Sequence, residues 1–206
     1  MTNGRQNPPP EVSKKRIFAF YSRMEQIPNH PVYSKGVLEL LTVANEFCLL
    51  SEKANELERH DVLSFFQKIC PLLYIKGALL PVVEPEFPEA NERFVNEHHY
   101  EEIFNKFREC FGSDDEYYSY DPIHFDSEEL RKSSLSENLS DVYQDLKDFL
   151  YLYQKNSLAA KECAVAECLR LFEMHWGIRI TNASTAIHNI LYRDKREAFD
   201  YESTLD

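Results

Sequence analysis

Asp141 and Asp145 stand four residues apart, close enough to stack on one helical face, and His175 and Arg179 repeat that interval thirty-odd residues downstream. Carboxylates and an imidazole that meet between neighbouring helices can hold a divalent cation. These residues form the sharpest polar cluster in the chain. One acid pair without a second falls short of a di-metal carboxylate pattern, and acids at the flank of an apolar stripe are in the plainer reading a hydrated boundary. A metal-dependent hydrolase or nuclease built on this cluster is therefore the alternative to a non-catalytic binding protein.

The run Asp114 to Tyr120 offers a different chemistry, with Tyr117, Tyr118 and Tyr120 interleaved with acids. Tyrosine supplies broad amphipathic contact area at low entropic cost, and the flanking carboxylates can select a basic partner. This is the candidate binding loop. The plainer reading is that the rings cover a helical core while their hydroxyls meet water.

Other constellations carry less. His98 and His99 are adjacent and diverge on a helix, and no Cys or His pair has zinc-ligand spacing. Cys48, Cys70, Cys110, Cys163 and Cys168 are odd in number and lack a CxxC pair, so they read as reduced, mostly interior thiols without disulfides. Glu84 and Glu86 could work as an acid and base, but they lie on a proline-braced acidic loop. No glycine-flanked serine elbow occurs, and the five glycines leave no Walker or dinucleotide fingerprint, so no cofactor is expected.

The elements that must position these groups are helical. From Ser136 to Leu191 apolar residues recur at three- and four-residue steps, a pattern that cannot be laid on the two-residue alternation of a strand. The spacing predicts helices over Pro31 to Ala54, over Val62 to Leu80 with Asp61 as its cap, over Asn96 to Cys110 stopped by Gly112, and from a cap at Ser136 to a turn at Asn156 and Ser157. The last stripe, Val165, Leu169, Phe172, Trp176, Ile180, Ala183, Ile187 and Ile190, predicts one long helix from Leu158 to Tyr192 with a bend at Gly177. Pro71 predicts a kink or break near Cys70, in a helix apolar enough all round to be the central element. Pro81 to Glu92 and Ser113 to Arg131 are acidic connections, the second long enough to require packed aromatics or a short helical turn.

The expected class is all-α, a single helical bundle of five or six helices with two acidic connections rich in Pro and Tyr. Residues 1–16 read as a flexible arm, 17–193 as the domain, within which Ile17 to Met24 docks on the body, and 194–206 as a polar tail. Thirty-five acids against 23 bases in 206 residues give a net charge of -12, which repels nucleic-acid backbones and anionic lipid. Lys68 and Lys76 interrupt the most apolar window, and the polar amino terminus lacks the apolar core of a secretory signal. A cytoplasmic protein with a protein or small-molecule partner, and without a nucleic-acid or membrane partner, follows.

Two segments, Ser136-Glu-Asn-Leu-Ser-Asp-Val-Tyr-Gln-Asp-Leu-Lys and Phe172-Glu-Met-His-Trp-Gly-Ile-Arg, resemble the hallmarks of a bacterial domain-of-unknown-function family of similar length. The resemblance extends from the first long helix to about Leu191. It implies a helical fold and a bacterial cytosolic setting, and it assigns no functional residue. Separately, Arg170 followed at five residues by His175 resembles the spacing of a helical ribonuclease family, in which arginine holds phosphate and histidine moves a proton. Residues five apart on a continuous α-helix point about 140° from each other, and Arg93 and His98 repeat the spacing elsewhere, so coincidence is the better account.

Overall fold

A computed structural model describes residues 29–119 and 131–203. Five helical rods make the body. Helix α1 spans Lys35–Ser51, α2 Arg59–Ala78, α3 Glu97–Phe111 and α4 Leu135–Tyr153. The fifth rod is α5, Leu158–Leu171, joined through a π-helical turn at Phe172–Trp176 to α6, Gly177–Ser203. Two short antiparallel strands, β1 at Glu116–Ser119 and β2 at Arg131–Ser134, pair with Glu116 opposite Ser134 and Ser119 opposite Arg131. The class is all-α with a minimal hairpin, as the helical spacing predicts.

Helix α4 is the centre of the bundle. It packs against α1, α3, α5 and α6, and 14 of its 19 residues are buried. The sequence points instead to α2, whose apolar residues run nearly all the way round. In the fold α2 leans on α1 and α6 and leaves Leu72, Tyr74 and Ile75 exposed. Composition misleads here because α4 carries buried Ser136, Asn138, Ser140, Asp141 and Asp145, which lower its apparent hydrophobicity.

Aromatic rings tie the first three helices together. Phe66 of α2 meets Phe47 of α1 and Phe107 of α3 edge to face, with centroids 5.2 and 5.7 Å apart, a geometry that aligns ring edges with ring faces. Cys48, Cys70 and Cys168 are buried in the same core, and burial pushes the Cys70 thiol up to about 12. Such thiols stay neutral and unreactive.

Several local expectations change. Pro71 does not break α2: the helix runs through it, with the ring on the exposed side. Asp61 lies in the first turn of α2 while Glu58 occupies the cap position. Helix α4 is capped by Ser134, two residues before the expected Ser136, and its hydroxyl accepts from the Glu137 N–H at 3.0 Å. The Ser113 to Arg131 connection opens in a 3-10 turn at Gly112–Asp114, the short helical turn expected of it, then forms β1 and ends where β2 begins. A four-residue strand is too short to show alternation in the sequence. Gly112 does end α3, at a φ of 55°. Helix α6 continues to Ser203, beyond the Arg193 at which the apolar stripe ends. The arm at 1–16, the docking segment at 17–24 and Tyr120 lie outside the described residues.

Candidate functional site

The fifth rod lies antiparallel to α4, so rising numbers along one helix meet falling numbers along the other. Asp145 faces His175, Asp141 faces both His175 and Arg179, and Asn138 faces Arg179. The structure therefore brings Asp141, Asp145, His175 and Arg179 into one network. The imidazole Nδ1 lies 2.7 Å from Asp145 Oδ2 and Nε2 lies 3.6 Å from Asp141 Oδ2. Arg179 Nε is 3.0 Å from the same Asp141 oxygen, and the Tyr100 hydroxyl of α3 donates to the other at 2.8 Å.

The charges alternate along the network. Asp141 and Asp145 together hold the His175 imidazole protonated, raising its pKa to about 9 despite the opposing cost of burial. Burial works against ionising Asp141, but the imidazolium, the Tyr100 hydroxyl and the Arg179 guanidinium outweigh it and keep the carboxyl below its ordinary value. Burial, reinforced by the Asp141 charge, pushes the Tyr100 phenol well above its ordinary range. Asp141 and Asp145 are thus paired with two cations on the facing rod, and Glu137 lies 4.0 Å from Arg179 as a third, more exposed carboxylate.

This arrangement is poorly suited to a metal. A single cation needs donors converging on one point, whereas His175 directs its opposite ring nitrogens at two different carboxylates. Binding would require removing the proton held between them, and Arg179 already neutralises Asp141. Among the described residues no group of three His, Cys, Asp or Glu side chains could hold a metal ion.

The network extends to the hairpin. Asn138 accepts from Arg179 Nη1 at 3.3 Å and donates from Nδ2 to the Tyr117 hydroxyl at 2.7 Å. A chain of polar contacts therefore runs from Asp145 through His175, Asp141, Arg179 and Asn138 to a ring on β1. Burial of Tyr117 lifts its phenol to about 12, so it remains a neutral group at physiological pH. At the same end of the hairpin, next to α4, Asp115 adds a second anchor. That buried carboxylate accepts from the Ser136 N–H at 2.7 Å and from the Ser134 hydroxyl at 3.0 Å, at the positive end of α4.

Between β1 and α6 lies a groove of about 340 Å³. Tyr117 and Tyr118 form one wall, and Asn182, Thr185 and Asn189, spaced at three and four residues along α6, form the other together with Ala186 and Ile190. Tyr118 is 69% exposed, so its ring offers a free face. Two of the three tyrosines of the expected binding loop thus line a recess.

The remaining candidates do not assemble. Arg170 is exposed and bound through Nε and Nη2 to both Glu167 oxygens at 2.8 Å, away from His175. His98 is exposed, while His99 stacks on Phe94 at 5.3 Å. His188 is exposed beside Tyr192. Glu84 and Glu86 lie on the surface of their loop. Sequence reasoning missed Tyr100, Asn138 and Asp115. Asn138 was within reach of it, because it stands three and seven residues before the two acids on the same face of α4.

No helix among the described residues is long and apolar enough to cross a membrane. No curated protein matches the chain. Among solved structures, protein BF1032 from Bacteroides fragilis is similar, with a TM-score of 0.69 and 32% identity over 78% of this chain and 95% of that one. The model of the family described as Domain of unknown function (DUF5063) matches residues 31–193, which takes in rods α1 to α4, the fifth rod as far as Arg193, the hairpin, the polar network and the groove. The chain belongs to that family.

Proposed function

We propose that this protein is a non-catalytic binding module that holds an extended polypeptide segment in the groove between β1 and α6. The observation that carries this reading is the groove itself, a recess at the small end of the usual range for ligand sites, walled by two tyrosines and a row of amide and hydroxyl side chains. Carboxamides donate and accept at once, which suits a peptide backbone, and tyrosine rings grip side chains without a large entropic cost. The polar network serves as a brace. By anchoring the Tyr117 hydroxyl through Asn138 and Arg179 it holds one wall of the groove in place, and preorganised walls bind more tightly than mobile ones.

A catalytic use of His175 fits less well. An imidazole already protonated and held between two carboxylates cannot accept a proton at neutral pH. The experiment is a selection from a phage-displayed random peptide library on the purified full-length protein. Enriched peptides should lose binding to Thr185→Arg, which fills the groove, and keep it for Glu173→Arg on an exposed turn elsewhere. Failure to enrich any peptide with that dependence overturns the reading.

A further inference from the structure

We infer that the segment held in the groove carries an acidic side chain, seated at the end where Arg59 and Arg193 converge on Asp114. The inference rests on the binding reading above and adds the chemistry of the partner. Asp114, at the junction of α3 and β1, pairs with Arg59 from the start of α2 and, at 3.1 Å, with Arg193 of α6. Among the described residues it is the one carboxylate within ion-pair distance of either guanidinium.

Two full positive charges therefore meet a single negative one. The side chains of Arg59 and Arg193 are 42% and 56% exposed, whereas Asp114 is 16% exposed, so the cations present donors outward and the anion faces in. A guanidinium carries five N–H donors and accepts two-pronged pairing with a second carboxylate.

The position of this junction matters as much as its charge. On its far side a second cleft, also about 340 Å³, is lined by Arg59, His60, Leu63 and Leu191, and Ile190 lines both recesses. The Arg59–Asp114–Arg193 bridge thus stands between two neighbouring recesses that share Ile190, with Asp114 and Arg193 lining the groove and Arg59 lining the cleft beyond. A segment lying in the groove has its end brought to the two arginines. Glu116, the other acid of the groove lining, is paired with Lys132 at 2.7 Å, so in a chain of net charge -12 the two guanidiniums across Asp114 are the place along the groove that favours an acidic side chain.

The peptides recovered from the library give the test. The expected consensus contains Asp or Glu at a fixed position, and a synthetic peptide with that residue changed to its amide should bind about tenfold more weakly, the loss of one charge-assisted pairing. Arg193→Gln should weaken the acidic peptide to the same extent and leave the amide peptide unchanged. Asp114→Asn removes the internal competitor and should strengthen the acidic peptide, an effect opposite in sign to the loss of a merely structural ion pair. Groove-dependent peptides that show no acidic preference, or an Arg193→Gln effect that adds in full to the amide substitution, overturn this inference while leaving the binding reading intact. A library that yields no groove-dependent peptide overturns both.

Discussion

His175 is hydrogen-bonded to Asp145 and ion-paired with Asp141, and its charge is a consequence of the fold. Unfolded, the imidazole titrates near 6.5; folded, at about 9. A group whose pKa is raised on folding contributes stability that is complete below the unfolded value and is lost as pH rises through the folded one. Between pH 6.5 and about 9 the protein should accordingly lose stability, by about 1–2 kcal/mol once the partial exposure of the ring is allowed for. Denaturant midpoints across that window test this, and His175→Asn should flatten the curve. Asp145→Asn removes the closer carboxylate and should cost about 2 kcal/mol at neutral pH, the worth of a hydrogen bond to a charged group. The same variant addresses metal chemistry: elemental analysis after equilibration with zinc or manganese should give no stoichiometric ion in either wild type or Asp145→Asn. An ion bound by wild type and lost in the variant would restore the hydrolase alternative.

At the scale of elements, the π turn at Phe172–Trp176 explains two glycines at once. Gly177 donates its N–H to the Phe172 carbonyl five residues back, and a Cβ at Gly177 would stand 2.3 Å from that oxygen. Gly77 on α2 lies under the same turn, where a Cβ would come within 2.4 Å of Trp176 Cη2 and 2.6 Å of Phe172 Cδ2. Trp176 is fully buried and its indole N–H donates to the Cys168 carbonyl at 3.1 Å, so it has little room to give. Gly77→Ala should therefore destabilise the fold by about 1–3 kcal/mol through overpacking, exceeding the gain of about 1 kcal/mol in helix propensity. Thermal melting decides the sign. Asp115→Ala strips the start of α4 of its carboxylate and should cost about 2 kcal/mol, with hydrogen exchange rising first in the hairpin. The bend expected at Gly177 becomes, in the fold, a widened turn that ends there.

Over the whole molecule, the network and the groove are two ends of one construction. Asn138→Ala cuts the contact to Tyr117 without touching the groove lining, so it should weaken peptide binding several-fold while global stability falls by about 1–2 kcal/mol. Calorimetric titration with a library-derived peptide separates the two effects. Much of this architecture was legible beforehand. Asp141 and Asp145 were placed on one face by their interval, and His175 by its position beside the Trp176 stripe. Tyr117 and Tyr118 were marked by their acidic setting. What escaped was Tyr100, which comes from a helix remote in sequence, and the hairpin, whose partner strand Arg131-Lys-Ser-Ser has no apolar alternation to betray it.

The residue intervals alone determined that the chain folds into helices, where most of them lie, and which side of each is apolar, because helical periodicity is set by the backbone within a few residues of each position. The tertiary structure alone decided that α4 rather than α2 occupies the centre, that the fifth rod runs antiparallel to it, and that Asp145 reaches Tyr117 through a chain of polar contacts. Those facts depend on the crossing and register of helices distant in sequence, which are fixed by the packing of whole faces against one another and leave no mark at any single spacing.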